Sequence, residues 1–391
     1  MKKESRVAHQ PKASLLEGNT PVVPPIYQSV KFTFPTIDAS LTKDAQARGY
    51  DYTRGSNPTT RQLELLCAEL QDRDDAIAVS TGMAAVWLSL LGTLKTGDRV
   101  VIFLESYRPT RVAARRMLPR FGIEHVMLSV DDRTGLAREL ADPRTKAVFI
   151  ESPTNPMLRI PDIDAIVSVA REHGVLSILD NTFAGFHNHG QFEIDYFVHS
   201  LTKYANGHGD VMGGIVIGSS QRIKPLKPLA VNMGSTLDPG AAAQISRGMK
   251  TYYLRYARHC ENALAIAEYL QSRPEVRQVF YPGLDTHPDY ERACAQMHDF
   301  GGVLTFDLDT DQDGAWRFID SLNIFVTTAS LGSIDSLVAP VELYLGSDLS
   351  EDERQRAGIS ASTVRFAVGI EHIDDLIGDI DQALEKVFTA G

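Results

Sequence analysis

From residue 76 onward, short apolar runs alternate with stretches of helical spacing, and this alternation constrains the fold more than any other feature. Strands are expected at 76–79, 99–104, 147–151, 175–180, 196–200 and 215–217, with helices at 83–94, 109–121 and 163–173. Strands that are apolar throughout must be covered on both faces, which predicts a mostly parallel sheet flanked by helices. Ligands of such sheets bind beyond the carboxyl ends of the strands. Polar segments follow the strands there: Ser80-Thr81-Gly82, Glu105-Ser106-Tyr107, Ser152–Asn155, Asp180-Asn181 and Ser200–Lys203. Five polar strand ends from one sheet define a candidate site.

The flanking regions read differently. Residues 1–47 are rich in Pro and lack sustained periodicity, so an extended N-terminal arm is expected. Asn57-Pro58 reads as an N-cap with Pro at the first helical position. After Gly240 one long helical pattern (241–272) precedes apolar runs at 276–280, 302–308, 325–328 and 364–368. The expected organisation is an arm (1–47), an α/β domain (48–245) and a smaller C-terminal α+β domain (246–391).

Composition narrows the function classes. The 391 residues carry a formal charge of −11, which offers no electrostatic reason to bind nucleic acid or anionic lipid. No apolar run reaches the ~18 residues of a membrane span. The start, Met1-Lys2-Lys3-Glu4, has no apolar stretch behind it, so no secretory signal is expected. Cys67, Cys260 and Cys294 are odd in number and far apart, which fits a reducing cytoplasm and argues against disulfides or a Cys-based zinc site.

Ser200-Leu201-Thr202-Lys203 matches the S-x-x-K of serine acyl enzymes, but no S-D-N accompanies it. The other reading makes Lys203 an imine-forming amine, which requires a pKa lowered by burial or a nearby positive charge. Hydroxyls at Ser200 and Thr202 suit a phosphate. Ser80-Thr81-Gly82-Met83 ends a strand and opens a helix, whose free N–H groups suit an anion. Asp180 ends an apolar strand, where a carboxylate requires a cationic partner. A lysine, a phosphate cradle and a carboxylate for a pyridinium nitrogen together describe pyridoxal phosphate (PLP) chemistry.

The chain resembles the Cys/Met-metabolism (trans-sulfuration) family of PLP enzymes, which includes cystathionine γ-synthase, cystathionine γ- and β-lyases and methionine γ-lyase. The matching segments run in family order over nearly the whole chain: Tyr52–Thr59, Ser80–Ala85, Glu151–Pro156, Asp180-Asn181-Thr182, His199–Tyr204, Ser330-Leu331-Gly332 and Val364-Arg365-Phe366. The resemblance implies the aspartate-aminotransferase-like fold (fold type I). It also implies that Lys203 holds PLP as an internal aldimine, Asp180 pairs with the pyridine nitrogen, and Asn155 bonds the phenolic oxygen. Gly82, Met83, Ser200 and Thr202 would hold the phosphate, joined by Tyr52 and Arg54 of a neighbouring subunit in a homotetramer. Tyr107 would stack on the ring and help move protons, and Arg365 would bind the substrate α-carboxylate.

Departures bear on the substrate. The stacking Tyr is usually followed by two glycines, whereas this chain has Arg108-Pro109. Asp335 stands where the γ-acting relatives carry Glu, so Ser330 and Asp335 are expected to face the distal end of the substrate. Phe186-His187-Asn188-His189-Gly190 contains an H-x-H, but no third ligand is evident, and a surface loop is expected instead of a metal site. The expected activity is γ-elimination or γ-replacement on a γ-substituted amino acid. The alternatives are a β-lyase releasing pyruvate, a transaminase or decarboxylase of the same fold, and an inactive relative.

Overall fold

The computed structural model describes residues 18–42 and 49–388. Of the expected arm, 1–17 and 43–47 lie outside the described residues. The described part is mostly extended, with a short helix Ile37–Leu41. It is stitched to the body where the Tyr27 N–H donates to Thr59 Oγ1 and Asn57 Nδ2 donates to the Tyr27 carbonyl. Asn57 also accepts from the Thr59 N–H at 2.9 Å, and Pro58 starts the helix Pro58–Leu70.

The larger sheet contains β1 (Asp75–Val79), β2 (Arg99–Phe103), β3 (Glu124–Leu128), β4 (Thr145–Glu151), β5 (Leu176–Asp180), β6 (Tyr196–His199) and β7 (Gly214–Gly218). Its order is β1-β7-β6-β5-β4-β2-β3. β7 runs antiparallel to both β1 and β6, so the remaining strands all share one direction. Their carboxyl ends therefore open on one side, and helices cover both faces. The edge strand β3 escapes a reading based on apolar runs, because Glu124, His125 and their neighbours are only partly buried. The helix expected at 109–121 is broken. Arg108–Val112 is α-helical, Ala113–Met117 forms a π turn and Leu118–Phe121 a 3₁₀ turn. Pro119 removes a backbone donor there, and Gly122 (φ 67°) ends the segment in the left-handed region.

The smaller sheet contains β8 (Val276–Phe280), β9 (Val303–Leu308), β10 (Val326–Thr327), β11 (Leu337–Pro340) and β12 (Thr363–Ala367), ordered β10-β11-β12-β9-β8. The long helical pattern before it is two helices, Pro239–Met249 and Tyr252–Gln271. Arg255 sits at their joint, bonding the Gly248 carbonyl at 2.8 Å and the Tyr204 carbonyl at 2.9 Å. Residue 245 falls inside the first helix. Ile245, Met249, Tyr252 and Tyr256 pack into the core of the larger sheet. Ala263, Ile266 and Leu270 pack into that of the smaller one. Among the described residues no helix is long and apolar enough to cross a membrane.

Candidate active site

The carboxyl ends of β1, β4, β5 and β6 border a cavity of about 410 Å³. Gly82, Met83, Tyr107, Asn155, Asp180, Ser200, Thr202, Lys203, Ser330 and Arg365 all line it. Sequence positions spread over more than half the chain thus meet at one place.

At the end of β1, Thr81 caps the helix Gly82–Thr93 by accepting the Ala84 N–H at 3.0 Å, a contact worth about 1 kcal/mol. The Gly82 and Met83 N–H groups have no acceptor within their own helix and stand at the cavity wall. A Cβ on Gly82 would lie 2.8 Å from the Cβ of Ser200, so only glycine lets this helix start so close to the end of β6. Thr202 Oγ1 is held by the Gly213 N–H at 3.1 Å. Hydroxyls and amide donors therefore converge as an anion cradle.

Lys203 follows β6 and is mostly buried. Its Nζ donates to Ser330 Oγ at 2.6 Å. Burial, and then the Arg365 charge, push its pKa down from 10.5 to about 8. A useful share of the amine is therefore neutral near physiological pH, as attack on an aldehyde requires. Uptake of PLP by the apoprotein should accordingly quicken about tenfold per pH unit below pH 8 and level off above it, as followed by cofactor absorbance. A rise centred above pH 10 would show that Lys203 titrates as an ordinary surface lysine.

Asp180 ends β5. Its Oδ1 accepts both the Thr182 N–H at 3.1 Å and the Thr182 hydroxyl at 2.6 Å. Burial pushes its pKa up, and none of the ion pairs among the described residues includes it. A largely buried carboxylate hydrogen-bonded by a threonine and paired with no cation among the described residues is suited to a cation brought in by a ligand. Thr182 also accepts the Ser200 N–H at 2.9 Å, so one side chain aligns the ends of β5 and β6.

Glu151, at the end of β4, is buried and beside Asp180. Its Oε2 accepts the Tyr107 N–H at 2.6 Å, while Oε1 is buried without a partner. Burial, and then the Asp180 charge, hold its carboxyl well above the usual range. Burial, and then the Glu151 charge, raise the pKa of the Tyr107 hydroxyl. Tyr107 is therefore a protonated phenol at the cavity wall.

Arg365, on β12, donates to Asn155 Oδ1 at 2.9 Å and to the Ser330 carbonyl at 2.7 Å. Its Nε is buried without a partner, and burial lowers its pKa to about 10. A buried guanidinium short of one acceptor suits an incoming carboxylate. Ser330 bonds Arg365 through its carbonyl and Lys203 through its hydroxyl. Its φ of 113° lies in a region L-residues rarely adopt, and these bonds help hold it there.

Three expected residues are elsewhere. Tyr52 and Arg54 are exposed and do not line this cavity; Arg54 lies over the Tyr52 ring at 5.7 Å and reaches the Val231 carbonyl at 3.4 Å. Asp335 is also exposed and outside the cavity lining, a correction to its expected position. The Ile334 N–H is bonded to the Gly207 carbonyl and its carbonyl to the Ile370 N–H. Next to it, the Ser336 hydroxyl is bonded to Glu371 at 2.9 Å. Both neighbours are tied inward, so the residue between them turns to solvent. The H-x-H expectation is corrected too. His189 is fully buried with Nδ1 2.6 Å from Asn181 Oδ1, and His187 Nε2 is 3.0 Å from Asp299. This segment packs under the site and is no surface loop.

The sequence reading missed Thr182 and Glu151 as working residues, although both lie at strand ends where polar residues carry that signal. Met212, Tyr344 and Leu345 also line the cavity, and no local pattern marks them.

The family model for Cys/Met metabolism PLP-dependent enzymes matches residues 7–385. The chain is 37 % identical over 373 residues to the L-methionine gamma-lyase of Pseudomonas putida, covering 93 % of this chain and 92 % of that protein. It is 34 % identical over 344 residues to the cystathionine beta-lyase of Lactococcus lactis, covering 87 % and 90 %. The crystal structure of cystathionine gamma synthase from Xanthomonas oryzae in complex with aminoacrylate and cysteine superposes with a TM-score of 0.89 at 34 % identity. That match covers 95 % of this chain and 94 % of the other.

Proposed function

The chain belongs to the Cys/Met metabolism family of PLP-dependent enzymes and has the fold-type I architecture of that family, and from this premise we propose that it catalyses γ-elimination or γ-replacement on a γ-substituted L-amino acid. The observation that carries the reading is the convergence of Lys203, Asp180, Asn155 and Arg365 on one cavity.

In this reading Lys203 holds the cofactor aldehyde, Asp180 takes the pyridine nitrogen and Asn155 the phenolic oxygen. Gly82, Met83, Ser200 and Thr202 take the phosphate. The unpaired Asp180 and the amide cradle support the fit. PLP, when bound, delocalises the electron pair left at Cα. Arg365 fixes the α-carboxylate and so sets which Cα bond is presented for cleavage. Lys203 Nζ, once free, would take the Cα proton, hand it on to C4′ of the bound cofactor and, neutral again, take one from Cβ, all within reach of one flexible side chain. Tyr107, protonated at its hydroxyl, supplies the proton that the leaving group on Cγ requires. Glu151 holds the Tyr107 backbone in place for this transfer.

Tyr52 and Arg54 would complete the phosphate site of a neighbouring subunit. Support comes from their exposure here and from the exposed apolar row Val22, Val23, Ile26, Val30, Ile37 and Leu41 beside them in the chain. We take the assembly to be a homotetramer of such dimers, and the unpaired cysteines support a cytoplasmic setting. We take the division between the two domains near residue 245, and the helix Tyr252–Gln271 that follows links them by packing its two ends into different cores.

A second reading, a β-lyase, is favoured by one observation. Asp335, which would have marked γ-chemistry, is outside the cavity. Incubation with cystathionine in deuterated water separates the two. The γ-reaction should yield 2-oxobutyrate with deuterium at Cβ, read by mass spectrometry. Pyruvate and homocysteine in place of 2-oxobutyrate and cysteine would establish the β-lyase.

A further inference from the structure

The departure at Tyr107-Arg108-Pro109 places a cation in the cavity wall that the chemistry above does not use. Arg108 lines the cavity, with its side chain 43 % exposed. Its backbone is fixed on both sides. The Tyr107 N–H is held by Glu151, the Thr110 and Arg111 N–H groups donate to the Tyr107 carbonyl, and Pro109 locks the following φ.

The side chain, by contrast, makes no hydrogen bond among the described residues. Its nearest carboxylate is Asp348, with Arg108 Nε 3.9 Å from Oδ1, beyond hydrogen-bond distance. Asp348 is already engaged. The fully buried Arg111 grips it with two bonds, Nη2 to Oδ1 at 2.6 Å and Nε to Oδ2 at 3.0 Å. Arg115 adds a third positive charge 3.8 Å from Oδ2, and is itself paired with Glu353 at 2.5 Å. Three arginines thus face two carboxylates, and the surplus charge is on Arg108. The other charged groups of the wall are committed: Lys203 and Asp180 to the cofactor, Arg365 to the α-carboxylate, and Glu151 to the Tyr107 N–H.

We propose that Arg108 is a specificity-determining residue that binds an acidic group at the distal end of the substrate, so that the preferred substrate carries an acid on its γ-substituent as well as the α-carboxylate. This rests on the reading of Lys203 and Arg365 given above. A guanidinium with a fixed Cα and a free fork matches carboxylate or phosphate oxygens bidentately. A glycine at this position could offer neither charge nor donors.

The test is binding to the holoenzyme, measured by calorimetry. Three amino acids of matched length and no leaving group serve as probes: L-norleucine (neutral end), L-2-aminoadipate (carboxylate end) and 2-amino-5-phosphonopentanoate (phosphonate end). At least one acidic probe should bind about tenfold or more tightly than norleucine, and which one is tighter identifies the acid. In Arg108→Gln this ratio should fall to near one, and Arg108→Lys should keep part of it. Equal affinities in the wild type, or a preference that survives in Arg108→Gln, would overturn the proposal. Release of 2-oxobutyrate from an acidic homoserine ester is scored separately. Its absence alongside a preference that depends on Arg108 would overturn the γ-reading and leave the role of Arg108 standing.

Discussion

Lys203→Ala should lower turnover by about a thousandfold or more, because one group is lost both as the covalent anchor and as the acid–base catalyst. Substitution removes a buried amine that donates to Ser330 Oγ and stands near the Arg365 charge. Loss of a partly neutral amine beside another cation relieves repulsion, so the variant should fold. An unchanged near-ultraviolet dichroism spectrum of the polypeptide would confirm this. Borohydride reduction of the wild-type holoenzyme should fix PLP to the peptide containing Lys203. A label on another lysine, or a variant that retains more than about a tenth of wild-type turnover, would remove Lys203 from its assigned role.

Mixing two inactive variants should regenerate activity. Arg54 is exposed, lies outside the cavity of its own chain and is held there by a long bond to the Val231 carbonyl at 3.4 Å and by the Tyr52 ring beneath it. In the proposed assembly Arg54→Ala should spoil the neighbour's site, and Lys203→Ala the site in its own chain. After joint refolding at equal amounts, about half the dimers are mixed, and each of these holds one site with both residues native. The expected recovery is about a quarter of wild-type activity per subunit, from two preparations that are each nearly inactive. Steady-state assay before and after refolding reads this directly. If no activity returns although the refolded mixture elutes as an oligomer, Arg54 acts within its own chain.

The chemistry of the site was legible where a residue's role follows from its neighbours in the chain. An apolar run that ends in Asp180, in Ser200–Lys203 or in Ser80–Met83 announces both a strand and what stands at its end. The direction of side chains at a strand end is set locally, by the pleat and the first turn of the next helix. Asn57-Pro58 is equally local, since cap and helix start are adjacent. Where strands carry charge or helices are interrupted, the local signal fades. β3 lies at the sheet edge and keeps Glu124 and His125, and the helix after Tyr107 is broken before a proline twelve residues downstream.

What the sequence by itself determined is therefore the α/β architecture and which amine, carboxylate and strand-end hydroxyls stand at the carboxyl ends of its strands. Only the tertiary structure decided how these groups are tuned and what else meets them. Ser330 reaches Lys203 across 127 positions, and Asn155 reaches Arg365 across 210. Asp335, five residues after Ser330, is turned to solvent because its neighbour Ile334 is tied to Gly207 and Ile370 and its neighbour Ser336 to Glu371. His189 is buried beneath the site, although its sequence reads as a polar loop. The surplus charge on Arg108 exists because Asp348, 240 positions away, is already gripped by Arg111. Burial and charge pairing are sums over long-range neighbours, and a linear pattern holds no record of which neighbours those are.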